Sequence, residues 1–176
     1  MTDLKLIALD EEDLAVVSAQ LQDAVVRVAD LQYLARDRRF VAIVNRFDWL
    51  AAEKEPARRR ATYERRRTAL RLDHVKAVRL KDISRADTAR VLSLLALRFE
   101  RLADDQPDGT VTLTFSDGAA VAIDVEAIEC ELRDLGPVWA TRSKPEHDLS
   151  GAARDDAPDA TPGKVGGTGR DPNTAE

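Results

Sequence analysis

The stretch VTLTFSDGAAVAIDV, residues 111–125, decides how this chain reads. Val111, Leu113 and Phe115 alternate with Thr112, Thr114 and Ser116, and beyond Asp117-Gly118 the apolar positions resume at Val121, Ile123 and Val125. A period of two sends successive side chains to opposite faces of a strand. Asp-Gly between two such runs predicts a two-residue type I′ hairpin, because both central positions of that turn need positive φ. The expected frame is therefore an antiparallel sheet with one buried face.

Toward the N-terminus, the even positions Leu70, Leu72, His74, Val78 and Leu80 are mostly apolar while Arg71, Asp73 and Arg79 are charged, which predicts one strand from about residue 68 to 80. Residues 25–28, 31–34 and 40–49 are rich in β-branched and aromatic side chains and read as strands, with a turn at 35–39. Residues 4–9 form a short apolar run leading into a helix over 11–22. Asp10 is its N-cap, Glu11, Glu12 and Asp13 occupy its positive end, and Leu14, Val17 and Leu21 form its apolar face.

Two further helices are expected. Ser84 and Asp87 are spaced as a capping box before a short turn through about Val91, after which residues 94–100 resume as a strand. Val125, Ile128, Leu132 and Leu135 then fall at helical spacing, with Gly136-Pro137 as a stop. A continuing strand with a bulge is the alternative for 126–135. The reading is thus an α+β fold: a largely antiparallel sheet, hairpin-connected strands and two or three helices. The order strand, capped helix, three strands occurs twice, which raises the hypothesis of a duplicated β-α-β-β-β unit.

All eight aromatic residues precede position 140, while residues 150–176 contain only Ala and Val165 as apolar side chains. So little apolar area does not offset an ordering cost of about 1–2 kcal/mol per residue, so 1–149 reads as one domain and 150–176 as a disordered acidic tail. The net charge is −5 and there are one Cys and two His. A single thiol forms no internal disulfide, and Cys130, His74 and His147 make no zinc set, which points to the cytoplasm. Apolar runs are too short to cross a bilayer and the first residues are acidic rather than basic, so no membrane role is expected. No cofactor or metal is expected either.

The middle of the chain, residues 54–85, is a basic island between acidic flanks. Arg58, Arg59, Arg60, Arg65, Arg66 and Arg67, near Trp49 and Tyr63, suit phosphate or carboxylate pairing and base stacking. The overall negative charge and the missing recognition-helix pattern make pairing with the acidic flanks the better reading. His74 is expected to be a buried, hydrogen-bonded imidazole, since Asp73 points to the opposite face. Cys130, among Glu126, Glu129 and Glu131, is expected to be a small core side chain, because nearby carboxylates disfavour a thiolate. The 104–109 loop lacks the Glu that a calcium loop needs, and 163–169 lacks the strand and helix of a phosphate loop. Near the end, Trp139 is followed by Arg142, Lys144 and His147; this run reads as a closing arm with Trp139 in the core, and its cations as a secondary ligand contact.

Three runs, LQDAVVRVADLQYL (residues 21–34), NRFDWL (45–50) and LGPVWATRSKPEHDL (135–149), together resemble an uncharacterised family of small cytosolic alphaproteobacterial proteins, a domain of unknown function. The resemblance covers about residues 4–149. It implies a cytoplasmic bacterial protein of one domain and carries over no catalytic positions. With no nucleophile, acid and base in recognisable spacing, the expected role is a non-enzymatic binding or protein-interaction module with an unknown protein partner. The alternative is a binder of a small anionic ligand or nucleic acid, or an enzyme, using the arginines of 58–71 with Arg142 and Lys144.

Overall fold

The computed structural model describes residues 3–48 and 63–141, the side chains of 63, 64 and 137–141 excepted. The proposed tail at 150–176, Arg58, Arg59, Arg60, Arg142, Lys144 and the Trp49 and Trp139 side chains lie outside the described residues. Ten strands and one α-helix are present: β1 (Lys5–Ala8), α1 (Glu11–Leu21), β2 (Val25–Arg27), β3 (Leu31–Leu34), β4 (Arg39–Phe47), β5 (Tyr63–Leu72), β6 (Val75–Lys81), β7 (Val91–Arg101), β8 (Gly109–Phe115), β9 (Ala120–Val125) and β10 (Cys130–Thr141). Single 3-10 turns follow β2 and β3. Every pairing is antiparallel, in the order β1-β10-β5-β4-β2-β7-β8-β9-β6, with β3 beside β4.

This corrects the α+β expectation of two or three helices: the fold is mostly antiparallel sheet with one helix. Helix α1 forms where the sequence places it, with Asp10 accepting from the Asp13 amide at 2.8 Å and Asp13 accepting from the Leu9 amide. Leu14, Val17 and Leu21 are buried. Residues 84–90 form two turns instead of a helix. Too few apolar side chains lie there to give a helical face, and the carbonyls of Thr88 and Arg90 accept the amides of Ala29 and Val28.

The helix expected through Leu135 is absent too: 126–129 form a bend, and a bulged strand, β10, begins at Cys130, so strand is right for 130–135 but does not continue from β9. The buried positions are Ile128, Cys130, Leu132 and Asp134, a period of two, with register shifts after Asp134 and Pro137. Leu135, counted on a helical face, is exposed. The duplicated unit fails as well. Its second helix is absent, and β1 is separated from β4, the last strand of the first unit, by β10 and β5, whereas β6 pairs directly with β9, the last strand of the second.

The β8–β9 hairpin forms, but around a three-residue loop. The Phe115 amide donates to the Ala119 carbonyl and Gly118 to the Phe115 carbonyl, and of the Asp-Gly pair only Gly118 is left-handed, at φ +83. That is a type I turn closed by a left-handed residue. At the other end of β8, Gly109 admits no side chain, since a Cβ there would lie 2.3 Å from the Glu100 carbonyl oxygen.

Buried apolar side chains from α1 and from every strand except β3 form one cluster, so the nine-stranded path curls around a single interior. Two corners make the curl. The β5–β10 pair, ending at Leu72 and Cys130, passes into the β6–β9 pair, beginning at Val75 and Val125. The expected single strand over 68–80 is therefore two strands, broken at Asp73 and His74, where His74 takes φ +56.

Candidate functional site: a groove between two unpaired strand edges

The arginines of β5 alternate across the sheet. Arg65 and Arg67 point outward, while Arg66 and Thr68 point inward and are buried. Arg46 on β4, the cross-strand partner of Arg66, is buried too, and so is Asp134 on β10. These positions continue the inward rows of Phe40, Ala42 and Val44, of Leu70 and Leu72, and of Cys130 and Leu132, so one end of the core is polar.

The polar groups satisfy one another. Arg46 binds Asp134 bidentately at 3.0 and 2.8 Å, Thr68 Oγ1 donates to the same carboxylate at 2.7 Å, and the Leu4 amide donates to it at 3.0 Å. Arg66 donates to Asp48 at 2.9 Å and to Asp3 at 3.2 Å. Burial is the largest single influence on Asp134 and pushes its pKa up. The hydrogen bonds from Arg46, Leu4 and Thr68 together outweigh burial and hold the carboxyl below its ordinary range. Arg66 is thus committed to the buried Asp48 and the exposed Asp3. Of the expected ligand-binding arginines with described side chains, Arg65 and Arg67 remain on the outside.

The corner at Asp73 and His74 gathers charge around a hollow of about 360 Å³. His74 is half exposed, contrary to the expectation of a buried imidazole, and its Nε2 lies 2.6 Å from Glu129. The left-handed backbone at the break turns the ring off the apolar face that parity assigned to it. Asp73 is held between Arg39 and Arg71, at 2.6 and 2.8 Å, and Arg38 pairs with Glu126. The described lining of this hollow contains no Ser, Thr, Tyr or Cys to serve as a nucleophile beside His74. Its charges pin the β5–β6 and β9–β10 corners together.

Cys130 is fully buried, as expected of a small core side chain. Burial first, then Asp73 and Glu131, push its thiol up to about 12 against the lowering effect of Arg71. We expect iodoacetamide at pH 8 to leave the native protein unlabelled and to label it fully once guanidinium unfolds it. Rapid labelling of the native state would mean that the β10 edge of the core opens to solvent.

A cavity of about 380 Å³ lies in the wall of the curled sheet. Strand β6 pairs only with β9 and strand β3 only with β4, so among the described residues each has one unpaired edge, and the two edges face each other. At one end they converge, where the Val75 amide donates to the Arg38 carbonyl at 2.9 Å and Tyr33 Oη to the Lys76 carbonyl at 3.2 Å. At the other end the 84–90 turns close the gap through the carbonyls of Thr88 and Arg90. Between them Leu31, Tyr33, Val78, Leu80 and Ile83 are only partly buried, and Phe40 forms the floor.

Charge around this groove is one-sided. Lys76, Arg79 and Lys81 project outward from β6, and Arg85 stands in the lining. Lys76 and Arg79 bond to Asp108 and Asp124, whereas Lys81 and Arg85 have no partner among the described residues. Sequence reasoning placed β3 and part of β6 as strands but missed the groove, because which edges stay unpaired is decided by the register of distant strands.

The chain belongs to the family described as Protein of unknown function (DUF2948), whose profile matches residues 4–147. No curated protein and no solved structure matches it. Among the described residues no helix is long and apolar enough to cross a membrane, and no group of three or more His, Cys, Asp or Glu is placed to hold a metal ion.

Proposed function

We propose that this protein is a non-enzymatic interaction module of the bacterial cytoplasm that receives an extended, acidic segment of a partner protein in the groove between β3 and β6. The observation that carries this reading is the pair of unpaired strand edges facing each other over an apolar floor. An added strand satisfies its own backbone against such an edge and places every second side chain in the groove. Those inward side chains meet Leu31, Val78 and Leu80, while Lys81 beside the outward ones and Arg85 in the lining, both without a partner among the described residues, favour carboxylates. The same cations disfavour pairing of two β6 edges from separate copies, as edge lysines do in other sheets.

The test uses an acetylated heptapeptide of alternating Glu and Val, matching the seven residues of β6. Calorimetry is expected to show binding that weakens as salt rises. An alternating Lys and Val peptide should not bind, and Leu80→Arg, checked for folding by circular dichroism, should weaken binding at least tenfold. Failure of the Glu and Val peptide to bind at millimolar concentration, or equal binding by the Leu80→Arg protein, overturns the proposal.

A further inference from the structure

The outer face of β1, β10, β5 and β4 carries a second feature, independent of the groove. Lys5 on β1 and Arg133 on β10 are cross-strand partners, and both are exposed. Like charges directly opposite one another destabilise a sheet. The next residue across from Arg133 is Ala69 on β5, and Arg67 lies two residues along the same strand on the same face. Strands lie about 4.8 Å apart and diagonal neighbours about 7–8 Å apart, so Arg133 and Arg67 border the small side chain of Ala69 within reach of one common group.

Most other cations of the strands are neutralised, Lys81, Arg85 and Arg98 being exceptions that stand apart from this face. Arg39, Arg79, Arg90 and Arg101 each meet a carboxylate, and Arg71, beyond Ala69 on the same face, is held by Asp73 and Glu131. That ion pair also takes up the acid nearest to Arg133 on its own strand. Lys5, Arg67 and Arg133 have no ion-pair or hydrogen-bond partner among the described residues. Beside Arg67 a hollow of about 350 Å³ opens, with Val25, Ile43 and Val91 as apolar walls, Asn45, the cross-strand partner of Arg67, as a neutral polar group, and the Arg27–Asp30 ion pair on its rim, where Arg27 neutralises the carboxylate.

We propose that this face binds a phosphomonoester, with the phosphate over Ala69 between Arg67, Arg133 and Lys5 and the organic body in the hollow beside Asn45. A phosphomonoester carries about −1.5 to −2 charge at neutral pH and three acceptor oxygens, enough to engage both guanidinium groups and the ammonium together. A carboxylate offers one charge and two oxygens, fewer than three cations need.

Titration of the full chain with phenyl phosphate, inorganic phosphate and phenylacetate, followed by the arginine Nε–H resonances in NMR, tests this. Phenyl phosphate should bind several-fold tighter than either of the others and shift the Arg67 and Arg133 signals. The double variant Arg67→Gln with Arg133→Gln should weaken it at least tenfold, while Arg98→Gln, an exposed arginine on β7, should not. In phosphate-free buffer of low ionic strength, Arg133→Gln alone should raise the Tm, because it relieves the repulsion from Lys5. Unchanged binding in the double variant, or an equal loss in Arg98→Gln, overturns the site. Phenylacetate binding as well as phenyl phosphate overturns the phosphate assignment, and inorganic phosphate doing so overturns the role of the hollow.

Discussion

Replacing Asp134 with Ala should cost about 3–5 kcal/mol, because it strands the buried Arg46 guanidinium without its carboxylate. Both side chains are almost wholly inaccessible, and Asp134 also accepts from Thr68 Oγ1 and from the Leu4 amide that begins β1. One substitution therefore removes the tie between β4, β5, β10 and the N-terminal segment. The double variant Arg46→Met with Asp134→Leu should recover much of the loss, since an apolar pair of similar volume avoids the desolvation of both ions. Urea denaturation of the two singles and the double measures this. A loss below about 1 kcal/mol in Asp134→Ala would mean that the pair is solvated.

The same carboxyl gives a pH dependence with a definite sign. Its folded-state pKa is held below the ordinary carboxylate value near 3.8, so its contribution to stability is fully present above that value. It is lost as the pH falls through the lower, folded-state pKa. The acid limb of the stability curve should therefore be shallower in the Arg46→Met with Asp134→Leu protein than in the parent.

Phe40→Ala should have the second large effect, about 3–5 kcal/mol, which for a domain of this size lowers the Tm by about 10 °C. Phe40 is 2% exposed, is the cross-strand partner of both Tyr33 and Leu72, and separates the groove from the core behind it. Truncation removes both the aromatic contacts and the groove's floor, so binding of the Glu and Val heptapeptide should fall with stability. A Tm change of only a degree or two would show that Phe40 is not part of the packed interior.

Local pattern carried the sequence reading where one face of an element is uniformly apolar. Helix α1 and the β8–β9 hairpin are legible for that reason: Asp10 caps the helix, and Gly118 supplies the left-handed position of the turn. The reading failed where a polar residue occupies an inward position. Asp134 breaks the apolar run of Ile128, Cys130 and Leu132, and that break favoured a helix through Leu135 over a strand. A strand that alternates apolar residues and then turns an acid inward is itself the signal of a buried ion partner, and Arg46 at the end of Phe40, Ala42 and Val44 is the matching signal. His74 misled in the opposite way, keeping the parity of a continuous strand across a corner that its left-handed backbone creates.

The candidate site was less legible than the fold. Of the arginines singled out by clustering, Arg66 is taken up by Asp48 and Asp3 and Arg67 shares its face with Arg133 and Lys5, which lie far away in sequence. Only strand register brings those three together. The groove depends on two edges left unpaired, a property of the whole path of strands and of no single segment.

Intermolecular NOEs between the Glu and Val heptapeptide and the isotope-labelled protein test the central claim most directly. The account predicts main-chain contacts from the peptide to β6 and valine methyl contacts to Leu31, Tyr33, Val78 and Leu80. A bound peptide whose contacts fall instead around Arg67 and Arg133, or along β1, would contradict it.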